Sequence, residues 1–181
     1  MKKKNIIFPI FLRYFLILIL GLGNLFLFYF LFSNITIIAS SFILSFFGKA
    51  EYLGNLILYN NQIIEIIPAC IAGSAYYLLF ILIFSTPKIK PLTRIKVLFA
   101  SFILFFIFNI LRISFLSALL NYSLFNILHI ISWYFLSTIA VILIWVLMIK
   151  IFKISEIPIF SDIKFLYSQI NSKKHKKLTG K

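Results

Sequence analysis

Residues 63–116 read IIEIIPACIAGSAYYLLFILIF, then STPKIKPLTRIK, then VLFASFILFFIFNILRISFL. The outer pieces are apolar runs of 22 and 20 residues, each long enough to cross a bilayer as a helix. The middle piece carries two prolines and four positive charges, which end one helix before the next begins. This pattern of run, basic break and run decides the fold class. The spacing predicts spans over about Ile63–Phe84 and Val97–Leu116.

Two more runs flank these. A span is predicted over Leu12–Phe32, after Lys2, Lys3 and Lys4, and another over His129–Met148. The first run is longer than the 7–15-residue core of a secretory signal, and Phe30-Leu31-Phe32-Ser33 offers no small-residue cleavage site. It is therefore expected to be an uncleaved anchor. Ile35–Phe47 is apolar but short and is interrupted by Ser40, Ser41 and Ser45, so an interfacial helix is expected there. Gly48–Gln62 is a polar turn region, with Leu56–Tyr59 a candidate short strand. The expected fold is all-α: a polytopic transmembrane helix bundle of about four spans plus an interfacial amphipathic helix on the outer side. Residues 1–149 would form the transmembrane unit and 150–181 a basic cytoplasmic tail.

Composition agrees with this reading. The chain has 181 residues, is 62% hydrophobic and 12% charged, and has mean hydropathy +1.08. Soluble domains carry roughly 25% charged residues. The net charge of +14 is confined to three places: residues 1–13, residues 86–96 and the tail from Lys150. The stretch 33–63 and the connector 117–128 are neutral. Positive-inside bias then puts both termini and the 86–96 connector in the cytoplasm, in a plasma-membrane protein of several passes. Because the basic residues lie between and beyond apolar runs, no nucleic-acid partner is expected. One cysteine excludes an internal disulfide. With one nearby histidine it does not make a metal site, and no cofactor is expected. Asn34-Ile-Thr36 and Asn121-Tyr-Ser123 match glycosylation sequons on the expected outer side.

The topology brings three chemically distinctive side chains to similar depth. Cys70 lies about seven residues inside the outer end of its span, roughly 10 Å deep at 1.5 Å per residue. Arg112 lies about four residues from the outer end of the next span, and His129 opens the last. Each has an ordinary reading. A single cysteine in an apolar helix is usually a small hydrophobe, an arginine near a span end snorkels, and a histidine at a helix boundary sits at the interface. Their similar depth makes Cys70 and His129 a candidate nucleophile and base, with Arg112 expected to lower the thiol pKa or stabilise an oxyanion. Asn109 shares a helix face with Arg112 at a spacing of three. Glu65 is expected either to orient or balance Arg112 or His129 or to be an interfacial carboxylate. Pro68 is placed to open the helix start and free N–H groups beside Cys70. His175 lies among lysines of the tail, on the opposite side.

The stretch Pro68-Ala-Cys70-Ile-Ala-Gly73-Ser74-Ala-Tyr76-Tyr77 resembles the cysteine motif of the exosortase and archaeosortase family, and its archaeal branch more closely. Asn109-Ile-Leu-Arg112-Ile113 is similar to the family's arginine motif, and His129 stands where the family has its histidine. The resemblance covers about residues 35–149. It implies a multi-pass membrane cysteine transpeptidase with Cys70, Arg112 and His129 as its triad. Glu65, Asn109, Gly73, Ser74 and Tyr76 are the supporting candidates. The substrates it implies are proteins with a C-terminal motif, hydrophobic span and basic cluster, cleaved near the motif and, in the archaeal branch, transferred to a membrane lipid. Four spans are at the short end for the family, and no fused extra domain is expected. Three other functions fit the same residues: a cysteine protease using water as acceptor, a non-catalytic assembly factor, and a small transporter. The last wants a polar path through the midplane, whereas the charges of the last three spans lie toward one end.

Overall fold

A computed structural model describes residues 7–156, 158, 160, 162–164 and 167. The basic clusters at Lys2–Lys4 and at 173–177, and His175, lie outside the described residues. Helix α1 runs over Ile7–Leu22 and α2 over Phe26–Ser45. Between them Asn24 and Leu25 take left-handed backbone angles, φ 49° and 59°, and the Phe26 N–H bonds to the Gly23 carbonyl at 2.9 Å. The expected span over residues 12–32 is thus broken at 23–25.

The expected interfacial helix over 35–47 is corrected as well, because residues 35–45 are the second half of α2. Of the serines that interrupt the run, Ser40 and Ser41 are buried, as is Thr36, while Ser45 is exposed. Small residues on an apolar helix mark a face where backbones approach closely, not a surface helix.

Contacts along α1 and α2 order them through the bundle. Arg13 donates to the Thr86 carbonyl, and the Tyr77 hydroxyl donates to the Ile17 carbonyl. Phe28 then packs on Tyr77, and Phe32 stacks on Tyr76 at 3.8 Å. Ile37 and Leu44 join a second core cluster with Ile57, Ile71 and Ile113. The two helices together therefore make one traverse of the bundle, from the Thr86 end to the opposite end.

At that opposite end the chain forms a three-stranded antiparallel meander: β1 Ala50–Leu53, β2 Leu56–Tyr59 and β3 Gln62–Glu65. The all-α expectation is corrected here, and only β2 was anticipated. Asn60 and Asn61 both have positive φ, 48° and 66°, as a two-residue hairpin turn matching strand twist requires. Asparagine tolerates that region better than other residues with a Cβ.

The return passes follow. Helix α3 is the single turn Pro68–Ile71, and α4 runs over Gly73–Phe84. Helical structure starts at Pro68 and not at Ile63, because residues 62–65 are committed to β3 and proline favours the first helical position. Helix α5 spans Pro91–Ala118, so the second proline of the basic break opens it. Helix α6, Phe125–Ile131, passes through a π-helical turn at Ser132–Leu136 into α7, Ser137–Ile151.

Three helical stretches are long and apolar enough to cross a membrane: Phe26–Ser45, Pro91–Ala118 and Phe125–Ile151. Their outward faces are apolar too, with Phe99, Phe115 and Leu143 all more than 60% exposed. Helices apolar on all sides suit a lipid surround. The core is an aromatic cluster of Phe28, Tyr76 and Phe105, with Phe32 and Phe102 packed against it.

The Thr86 end holds the polar closures. Arg13 and Asp162, both buried, pair at 2.7 Å. Arg94 donates to the same Thr86 carbonyl that Arg13 uses. Lys88 pairs with Glu156 at 2.6 Å in the open.

Candidate active site at the helix break

The site is built on a deliberate interruption. Ala72 takes φ 57°, a left-handed conformation that caps α3 after one turn. A helix that stops so early leaves its last carbonyls without the donors that a continuing helix supplies. Two residues of α5 supply them instead. Asn109 Nδ2 donates to the carbonyl oxygens of Cys70 at 3.0 Å and Ile71 at 3.3 Å. Arg112 Nη2 donates to the Cys70 carbonyl at 3.1 Å. Arg112 Nη1 reaches the other way, to Ser137 Oγ at 2.6 Å, and Ser137 Oγ donates to the Ser132 carbonyl at 3.2 Å.

Asn109 and Arg112 are both buried, with Asn109 fully so. Among the described residues the hydrogen-bond acceptors of Arg112, Ser137 Oγ and the Cys70 carbonyl, are both neutral. A buried guanidinium held only by neutral acceptors keeps its positive field, which suits it to negative charge that develops beside it.

A cavity of about 240 Å³ opens at this point. Its polar lining is Glu65, Cys70, Arg112, Ser117, His129 and Ser132, and much of the rest is apolar, including Ile113, Leu116 and Trp133. Cys70 comes from α3, Arg112 from α5 and His129 from α6, so three elements bring the three residues to one cavity. The imidazole of His129 stacks on Phe125, 5.5 Å between centroids and nearly parallel. Cys70 is a free, half-buried thiol.

The supporting candidates separate. Asn109 acts on the Cys70 and Ile71 carbonyls, as its spacing from Arg112 allows. Glu65 is exposed at the end of β3, outside the helix, and accepts from Asn55 Nδ2 at 3.2 Å. It lines the cavity but bonds to neither Arg112 nor His129. Gly73 sits under the Tyr29 ring, where a Cβ would come within 2.8 Å. Ser74 is exposed and lines a different recess, with Pro68, Ser137 and Thr138. Tyr76 is fully buried in the aromatic core, outside the cavity, and its hydroxyl has no hydrogen-bond partner among the described residues.

Sequence reasoning missed Ser132 and Ser137. The signal was present as two serines five apart in an apolar run, the spacing of a π-helical turn. Among the described residues no group of three or more His, Cys, Asp or Glu is placed to hold a metal ion. Comparison with protein-family models, with curated proteins and with solved structures finds no match to this chain.

Proposed function

We propose that the protein is a membrane-embedded cysteine transpeptidase, similar in type to the exosortases and archaeosortases. On this reading it cleaves the C-terminal sorting signal of exported proteins and passes them to a membrane lipid or another surface acceptor. The observation that carries the reading is the convergence of Cys70, Arg112 and His129, from three separate elements, on one cavity.

The chemistry is acyl transfer in two steps. The Cys70 thiolate adds to a substrate carbonyl carbon, forming a C–S bond and an oxyanion. Arg112, which pairs with no carboxylate among the described residues, stabilises that oxyanion. The C–N bond then breaks, and protonated His129 gives its proton to the departing amine, leaving a thioester. An acceptor hydroxyl or amine attacks the thioester and yields its proton to His129. The C–S bond breaks, and Cys70 leaves as thiolate.

The same reading sets the orientation. Arg13, Lys88, Arg94 and Lys150 gather at the Thr86 end of the bundle, while the meander and the cavity occupy the other. Positive-inside bias assigns the charged end to the cytoplasm and the cavity to the extracytoplasmic face of a multi-pass plasma-membrane protein. Four traverses, the first made by α1 and α2 together, agree with both termini being cytoplasmic.

The test is Cys70→Ala in the native host. The mature form of surface proteins bearing a motif, an apolar span and a basic cluster at the C-terminus is followed by mass spectrometry. Loss of processing with the variant still inserted is expected. A product ending in a bare carboxyl group would mean water is the acceptor. Unchanged processing would leave the bundle as a non-catalytic assembly factor.

A further inference from the structure

The meander has one covered side and one open side. Helix α2 packs on β1. β3 pairs with β2 alone, and its other edge borders the cavity through Ile63, Ile64, Glu65 and Ile66.

The pairing phase tells which backbone groups face that edge. Along an antiparallel strand, residues alternate between bonding the partner strand and facing away from it. The Ile66 N–H donates to the Asn55 carbonyl at 2.9 Å, continuing the register in which Glu65 lies opposite Leu56. Gln62, Ile64 and Ile66 therefore bond toward β2, whereas Ile63 and Glu65 turn their N–H and C=O outward. Among the described residues no hydrogen bond takes those outward groups. Gln62 Nε2 at the start of β3 donates to Asn121 Oδ1 of the α5–α6 connector, and Glu65 carries a charge, but no lysine, proline or bulge lies along the strand.

We propose that this edge binds the substrate polypeptide as a fourth strand, leading it along the cavity to Cys70. Two N–H and C=O sets, two residues apart on one edge, are matched by the alternating groups of an extended backbone. A lipid chain has no such groups, and a helix has already spent its own. The apolar wall of Ile113, Leu116 and Trp133 accepts alternate side chains of the added strand. Cys70 follows Ile66 by four residues, so a strand laid on the edge brings a carbonyl to the nucleophile's end of the cleft. Only this last point rests on the transpeptidase reading.

The experiment uses the full chain in lipid nanodiscs with Cys70→Ser, so that binding is read without chemistry. The probe is a fluorescein-labelled octapeptide of alternating valine and threonine. Its control is the same peptide N-methylated at every residue, so that neither of its edges can donate. Saturable binding is expected, with N-methylation weakening it by roughly tenfold or more, since the bonds donated to the Ile63 and Glu65 carbonyls are lost. Ile63→Pro, which removes one outward N–H, should weaken binding roughly three- to tenfold. The N-methylated peptide tests the idea even if that variant folds poorly. Equal binding of both peptides, or no binding, overturns strand addition. A dimer that Ile63→Pro converts to monomer, with no peptide bound, would assign the edge to a second copy of the chain. Sorting that persists in Cys70→Ala cells would instead sink the transpeptidase reading and leave a demonstrated peptide groove standing.

Discussion

Arg112 is bonded to Cys70 through the cysteine's backbone carbonyl, at 3.1 Å, and its other terminal nitrogen is spent on Ser137. The guanidinium therefore bridges α3 and α7 from its own place on α5. It fixes where the Cys70 backbone lies, besides supplying charge to the cavity.

That bridge makes Arg112→Lys a severe change. A lysine keeps the charge but has no planar fork to reach two acceptors on opposite sides. Processing of surface proteins should fall by about a hundredfold or more, as for loss of an oxyanion donor. Membrane insertion should be unchanged, checked by protease protection of a C-terminal tag. Activity near wild type would show that charge alone suffices.

Ser137→Ala removes the anchor and leaves the fork intact. Activity should drop by about tenfold, the worth of one charge-assisted hydrogen bond. Ser137→Thr should recover most of it by restoring the hydroxyl. A loss that threonine does not rescue would place the fault in packing around the π-helical turn.

Asn109→Ala should cost stability more than Arg112→Lys does. It strips Nδ2 from the Cys70 carbonyl and leaves the Ile71 carbonyl unpaired next to the helix break. The expected cost is about 1–3 kcal/mol, read as a lower unfolding midpoint in mild detergent. Asn109→Leu should do no better, because the carbonyls are the needy partners.

The Thr86 end offers an internal comparison of ion pairs. Arg13 and Asp162 are buried, while Lys88 is largely exposed. Asp162→Asn leaves a buried arginine short of its counter-charge and should destabilise by about 3 kcal/mol. Lys88→Ala should change stability by less than about 1 kcal/mol. Equal effects would mean that the Arg13–Asp162 site is as wet as the surface.

Gly73→Ala tests the helix break by crowding. The new Cβ meets the Tyr29 ring at 2.8 Å, so α2 or α4 must give way. About 1–3 kcal/mol of destabilisation is expected. A second change, Tyr29→Leu, should recover part of it if the ring is the obstacle.

The bundle was legible where the sequence carries composition in bulk. The apolar runs ending at Phe84 and starting at Val97, and the basic break between them, correspond to α4, α5 and their connector. Legibility failed where one local choice overrides a hydropathy average. Asn24 and Leu25 break a run that averages as continuous. Ser40 and Ser41, polar by any scale, are buried in a helix–helix face. The hairpin at Asn60-Asn61 is a turn signal that a polar, loop-like stretch concealed. At the site, Cys70, Arg112, His129 and Asn109 could be picked out because such residues are scarce in apolar helices. Ser137 could not, since serine in such a helix is commonplace and only the π-helical turn gives it a role.

The clasp of Arg13 on Asp162 joins residues 149 apart. A ribosome working at 5–20 residues per second delivers the second about 7–30 s after the first. Through that interval α1 waits with an arginine facing the bundle and no carboxylate to receive it. Helix α1 is thus completed by nearly the last residues described. An interrupted translation product would keep the whole cavity yet lack the counter-charge that seats its leading helix.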